Sequence, residues 1–125
     1  MDNNNNQQPE RLHKIYHDYL KIYLAQPITG LSKEHYTKVR QTLEDLCKME
    51  FGEKRCRFVN HYIEDTPPKE CKNALLWYLV KALEDLTMAD FIVMVKDADR
   101  VSLGCRVEKL CAKLYGIPVF EKEVL

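Results

Sequence analysis

The chain has 125 residues, of which 46% are hydrophobic and 30% charged, with 19 Lys plus Arg balanced by 19 Asp plus Glu. That length fits one domain with its own core. A formal charge of zero gives no electrostatic case for binding nucleic acid or an anionic membrane, and the longest apolar runs fall far short of a membrane span.

The first nine residues, "MDNNNNQQP", are polar and of low complexity, and are expected to be a disordered tail (1–9) ahead of a single α/β domain (10–125). Glu10 to Asp18 reads as a short helix. Leu20 to Ala25 is a compact apolar run ended by Pro27 and Gly30, the pattern of a buried strand feeding a loop. Ser32 is the expected N-cap of a helix from Lys33 to about Met49, with Tyr36, Val39, Leu43 and Leu46 at helical spacing. "RCRFVNHYI" (55–63) is the second strand candidate, and "DTPPKE" cannot continue a sheet. Glu70 to about Thr87 reads as a second helix whose apolar face is Leu75, Leu76, Leu79, Leu83 and Leu86. Trp77 and Val80 point away from that face, which suggests a second contact surface. "DFIVMVK" (90–96) is apolar enough to be a strand covered on both faces. A polar loop then leads to a helix from about Leu103 to Tyr115, with an expected core stripe of Val107, Leu110, Cys111 and Leu114. Gly116 ends it, and "IPVF" is a last short strand.

Strands alternating with helices predict a three-layer, flavodoxin-like or Rossmann-like α/β fold. Its parallel sheet would have four to five strands, with helices on both faces. Such folds bind ligands beyond the carboxyl ends of the strands. Here those ends carry "AQPITG", "HYIEDTPP" and "KDADRVSLG".

Three side chains there can carry chemistry. Glu108 falls in the first turns of the last helix, where the positive dipole end favours an ionised carboxylate. It is either a solvated residue of an amphipathic helix or a carboxylate nucleophile for a sugar carbon. Tyr23, near the end of the first strand, is either a core aromatic or a hydroxyl that needs a partner, for which Glu108 is suitable. His61 is either a polar strand-end residue or an acid–base group near neutral pH. Ser102 and Gly104 precede Glu108, the glycine allowing close approach to the backbone. The loop from Pro27 to Gly30 can present N–H groups to a sugar or phosphate. No phosphate-binding signature of nucleotide triphosphatases is present. Five cysteines, at 47, 56, 71, 105 and 111, form no C-x-x-C and no metal spacing. With no visible leader sequence, they read as reduced thiols of a cytoplasmic protein.

"KIYLAQPITG", "LEDLTMADFIVMV" and "SLGCRVEKLCAKLYGIPVF" occur in that order. Together they resemble the nucleoside 2-deoxyribosyltransferase superfamily, which includes the 2'-deoxynucleoside 5'-phosphate N-hydrolases, over about Lys21 to Phe120. The resemblance implies that Glu108 attacks C1' of deoxyribose and that Tyr23 orients it. It implies a small deoxynucleotide or deoxynucleoside as partner, no metal or organic cofactor, and a homo-oligomer. Ser102 stands where the phosphohydrolase branch has a phosphate-binding serine and transferases have aspartate, so the resemblance leans towards a nucleotide. Gln26, Pro27, Gly30, His61, Ser102 and Gly104 are the candidate substrate contacts. Two departures stand out. Gln26 replaces the glycine of the family's "GP" loop and narrows the pocket. Ala82 replaces a proton-transferring aspartate, while Glu84 and Asp85 are expected on other helix faces. A catalytically weak nucleotide-binding module is therefore the alternative function.

Overall fold

The computed structural model describes residues 19–28 and 31–124. The expected tail, the expected helix before Tyr19 and Gly30 lie outside the described residues. Strand β1 (Leu20–Ala25) is followed by α1 (Lys33–Phe51), β2 (Cys56–Phe58), α2 (Ala74–Leu86) and β3 (Phe91–Val95). A short α3 (Ala98–Val101), then α4 (Leu103–Tyr115) and β4 (Val119–Lys122) complete the chain. The four strands form one sheet in the order β2-β1-β3-β4, and every pairing is parallel. The fold is thus three-layer α/β, as expected, with four strands among the described residues.

Alternation along the two central strands builds two separate cores. Ile22 and Leu24 of β1 and Phe91 and Val93 of β3 pack with Leu43 and Cys47 of α1. Tyr23, Ala25, Ile92 and Met94 face the other way, against Ala82, Leu83 and Leu86 of α2 and Cys105 and Ala112 of α4. Each fully buried aliphatic side chain here contributes about 1.5–3 kcal/mol. Central parallel strands need such burial on both sides, which is why β1 and β3 read as near-continuous apolar runs.

Local signals set the helix limits. Ser32 caps α1 by accepting from the His35 N–H at 3.0 Å, and Asn73 caps α2 by accepting from the Leu76 N–H at 2.9 Å. Gly116, at φ 73°, ends α4 in the left-handed region, where a side chain would be strained.

Several expectations are corrected. β2 stops at Phe58 because Asn60 turns its side chain onto β1: its Oδ1 accepts from the Leu24 N–H at 2.9 Å. Its Nδ2 donates to the Leu24 carbonyl at 2.8 Å. One side chain thus replaces the next rung of the ladder, and His61 lies beyond the strand. α2 begins at Ala74 rather than Glu70, and Leu75 and Leu76 are exposed. On α4 the buried residues are Cys105, Glu108 and Ala112, whereas Leu110 and Leu114 are 54% and 70% exposed. Small residues let α4 lie close to the sheet and turn its leucines outward.

Candidate active site

The strand order reverses between β1 and β3, so the crevice at their carboxyl ends is the expected ligand position of this fold. Tyr23 points from β1 towards α4. Ser102 caps α4, its Oγ accepting from the Cys105 N–H at 3.2 Å. The helix then brings Cys105 and Glu108, three residues apart, onto one side. The Tyr23 hydroxyl donates to Glu108 Oε2 in a buried hydrogen bond, and the Cys105 thiol makes a second hydrogen bond to the same carboxyl.

Glu108 is only 7% exposed. Burial pushes its carboxyl up to about 7, while the bonds from Tyr23 and Cys105 pull it down. The dipole expectation is therefore corrected. Glu108 sits in the second turn, where the helix-end field has faded, and desolvation wins. Burial, and then the charge on Glu108, push the Tyr23 phenol far above its ordinary value. Burial pushes the Cys105 thiol up to about 12. Both groups stay protonated at neutral pH and remain donors, while Glu108 is poised between acid and carboxylate.

Asp85, in the last turn of α2, was expected on another helix face. It lies three residues beyond Ala82, which places the two on adjacent parts of one side. It is half-buried. Burial raises its carboxyl and His61 lowers it, and its charge reaches Tyr23. Glu84, in contrast, is exposed. His61 itself is exposed.

Of the other expected contacts, Ser102 and Gly104 open α4 beside Glu108. A Cβ on Gly104 would meet only Ser102 Oγ, at 3.7 Å, so protein packing alone does not demand glycine there. Pro27 is half-buried. Gln26 is buried but serves the opposite face: its Nε2 donates to the Tyr36 carbonyl of α1 at 3.1 Å. It does not narrow the space around Glu108, because alternation along β1 turns it away from Tyr23. Cys105, Asp85 and Asn60 were not anticipated. The i, i+3 spacing of Cys105 to Glu108 was the available signal for the first.

Among the described residues, no group of three His, Cys, Asp or Glu could hold a metal ion, and no helix is long and apolar enough to cross a membrane. No protein-family model matches the chain, and no curated protein matches it. The fold is similar to the crystal structure of a conserved protein from Enterococcus faecalis V583. The TM-score is 0.57 at 20% identity, over 82% of this chain and 62% of that one. The likeness is one of fold, and this chain spans somewhat under two thirds of that protein's length.

Proposed function

We propose that the chain cleaves or transfers the N-glycosidic bond of a 2'-deoxynucleotide or 2'-deoxynucleoside, as a relative of the nucleoside 2-deoxyribosyltransferases. The observation that carries this reading is the buried carboxyl of Glu108, held by the Tyr23 hydroxyl at the carboxyl edge of the sheet. Ionised Glu108 attacks C1'. The C1'–N bond breaks, its electron pair leaves with the base, and a glycosyl ester forms on Glu108. Water, or a second base, then resolves the ester.

Tyr23 orients the carboxyl and stabilises its ionised form. The departing base needs a proton that Ala82 cannot give. Asp85, with a carboxyl raised by burial and coupled to His61, is the nearby group suited to supply it. A small cytoplasmic homo-oligomer fits this reading. The exposed Leu75, Leu76 and Val80 of α2 and Leu110, Leu114 and Tyr115 of α4 supply an apolar surface for a second copy.

A nucleotide-binding module without turnover is the second reading, favoured by Ala82. Incubation with a panel of deoxynucleosides and their 5'-monophosphates, with free base as the readout, separates the two. The enzyme reading expects base release that falls by at least about 10³-fold in Glu108→Gln. Binding without release would favour the module. Undiminished release by the variant would remove Glu108 from the nucleophile role.

A further inference from the structure

Between the last turns of α2 and α4 lies a cavity of about 370 Å³, lined by Leu83, Leu86, Thr87, Cys111, Tyr115 and Ile117. No charged side chain lines it, and Tyr115 at its rim is 81% exposed. The volume is that of a pocket able to take several apolar groups. It sits at the amino edge of the sheet, because Leu86 and Thr87 lie just ahead of β3 and Ile117 just ahead of β4.

The chain enters the sheet at this same edge. The Asp90 N–H, one residue before β3, donates to the Lys21 carbonyl of β1 at 2.7 Å, and the Lys21 N–H donates to Asp90 Oδ2 at 2.8 Å. The Ala89 N–H donates to the Leu86 carbonyl at 3.1 Å. These bonds join the start of β1 to the cavity wall within a few residues. Tyr23 faces α2 and α4, so alternation puts Lys21, and Arg57 paired with it in register, on that face too. The Arg57 guanidinium lies over the Tyr19 ring, 3.5 Å from its centroid. The chain ahead of β1 is thereby led onto the face that carries the cavity.

Eighteen residues lie ahead of Tyr19. Within residues 10–18, "ERLHKIYHD", the apolar ones are Leu12, Ile15 and Tyr16, at the spacing of one helix face. A stripe that short does not hold a helix in water by itself and needs a surface to pack on. The step from Tyr16 to Leu20 spans up to about 13 Å. So short a tether gives an effective concentration on the order of millimolar. An apolar contact too weak to hold a separate molecule is then filled by the chain's own segment.

We propose that residues 10–18 dock in the cavity between α2 and α4 of the same chain, with Leu12, Ile15 and Tyr16 covering Leu83, Leu86 and Cys111. The docking is independent of the chemistry at Glu108, which belongs to the opposite, carboxyl edge.

Cys111 reports the occupancy of the cavity it lines. The folded full chain is treated with N-ethylmaleimide, and labelling is read cysteine by cysteine by mass spectrometry. Leu12→Ser combined with Ile15→Ser should raise the Cys111 rate about tenfold. Cys71, half-buried ahead of α2, and the buried Cys47 should keep their wild-type rates. An unchanged Cys111 rate would overturn the docking. So would protection of Cys111 in the wild type that weakens on dilution, which assigns the cavity to a second copy. If the double variant unfolds, seen as labelling of Cys47, Ile15→Cys decides. Oxidised glutathione should then drive a disulfide from that position to Cys111 within one molecule. A bond between molecules, or no bond to Cys111, would overturn the docking as well.

Discussion

The two faces of the sheet are built from the same two strands and do different work. Towards α1, β1 and β3 present Ile22, Leu24, Phe91 and Val93, and this core is closed by Leu43 and Cys47. Towards α2 and α4, the same strands present Tyr23, Ala25, Ile92 and Met94, and Glu108 is buried against them. A single alternation along β1 separates the two sets. The comparison teaches that the strand pleat can separate two kinds of burial: the cluster between the sheet and α1 is apolar, with Arg40 and Gln26 buried at its margin, while the α4 core accepts a buried carboxyl and the cost of desolvating it.

The largest expected effect on stability is on the α1 side. Leu43 is fully buried, so Leu43→Ala should cost about 2–5 kcal/mol, read by urea denaturation. Base release per folded molecule should be little changed. Loss of activity in a folded Leu43→Ala protein would break the division between the faces.

The α4 face should instead make stability depend on pH. The Glu108 carboxyl is raised from 4.5 to about 7 in the folded chain. Between those values the folded chain holds a proton that the unfolded chain has released. Stability therefore falls as pH rises through that window, with no penalty below it and the full penalty above it. The total is on the order of 3 kcal/mol at most. Glu108→Gln cannot ionise and should lack this component. Comparing denaturation midpoints of the two proteins at pH 5 and pH 8 measures it. A wild type that gains stability relative to the variant on going to pH 8 would contradict the burial of an ionisable Glu108.

Tyr23 sharpens the same contrast. Its hydroxyl pulls the Glu108 carboxyl down, so Tyr23→Phe should move the acidic limb of the activity profile to higher pH. The stability cost should be about 1–2 kcal/mol. An unmoved limb would mean that the hydrogen bond does not govern ionisation of Glu108.

What the sequence made legible follows the same division. The spans of β1 and α4 and the cap Ser32 were readable, because continuous apolar runs and serine before a helix are local signals. β2 was read too long because its end depends on Asn60 reaching across to Leu24, a contact with no local signature. The stripe of α4 was misplaced because Val107, Leu110 and Leu114 also recur at helical spacing. Periodicity does not say which of two apolar stripes meets the sheet. Tyr23 and Glu108 were expected to meet, from strand-end geometry and from the family resemblance. The burial that raises the Glu108 carboxyl was not readable, since it is created by the elements packed around it. Arg40 left a faint mark: it is a charge in register with Tyr36, Leu43 and Cys47 on the inward side of α1.

The smallest expected effect concerns Ser102, whose hydroxyl caps α4 at the edge of the Glu108 site. Serine and aspartate are comparable N-caps, so Ser102→Asp preserves the start of the helix while adding a negative charge. Ser102→Ala removes the cap, at about 1 kcal/mol, without adding charge. If a 5'-phosphate binds at this helix start, where free N–H groups and the positive dipole end favour an anion, the wild type should bind a deoxynucleoside monophosphate more tightly than the nucleoside. The margin should be about 1.5–3 kcal/mol. Ser102→Asp should abolish or invert that preference at nearly unchanged stability, while Ser102→Ala should reduce it and lower stability together. Calorimetric titration of both ligands into all three proteins distinguishes the cases. Equal affinities in the wild type, or a preference untouched by the aspartate, would leave Ser102 as a helix cap alone and remove the phosphate from this end of the site.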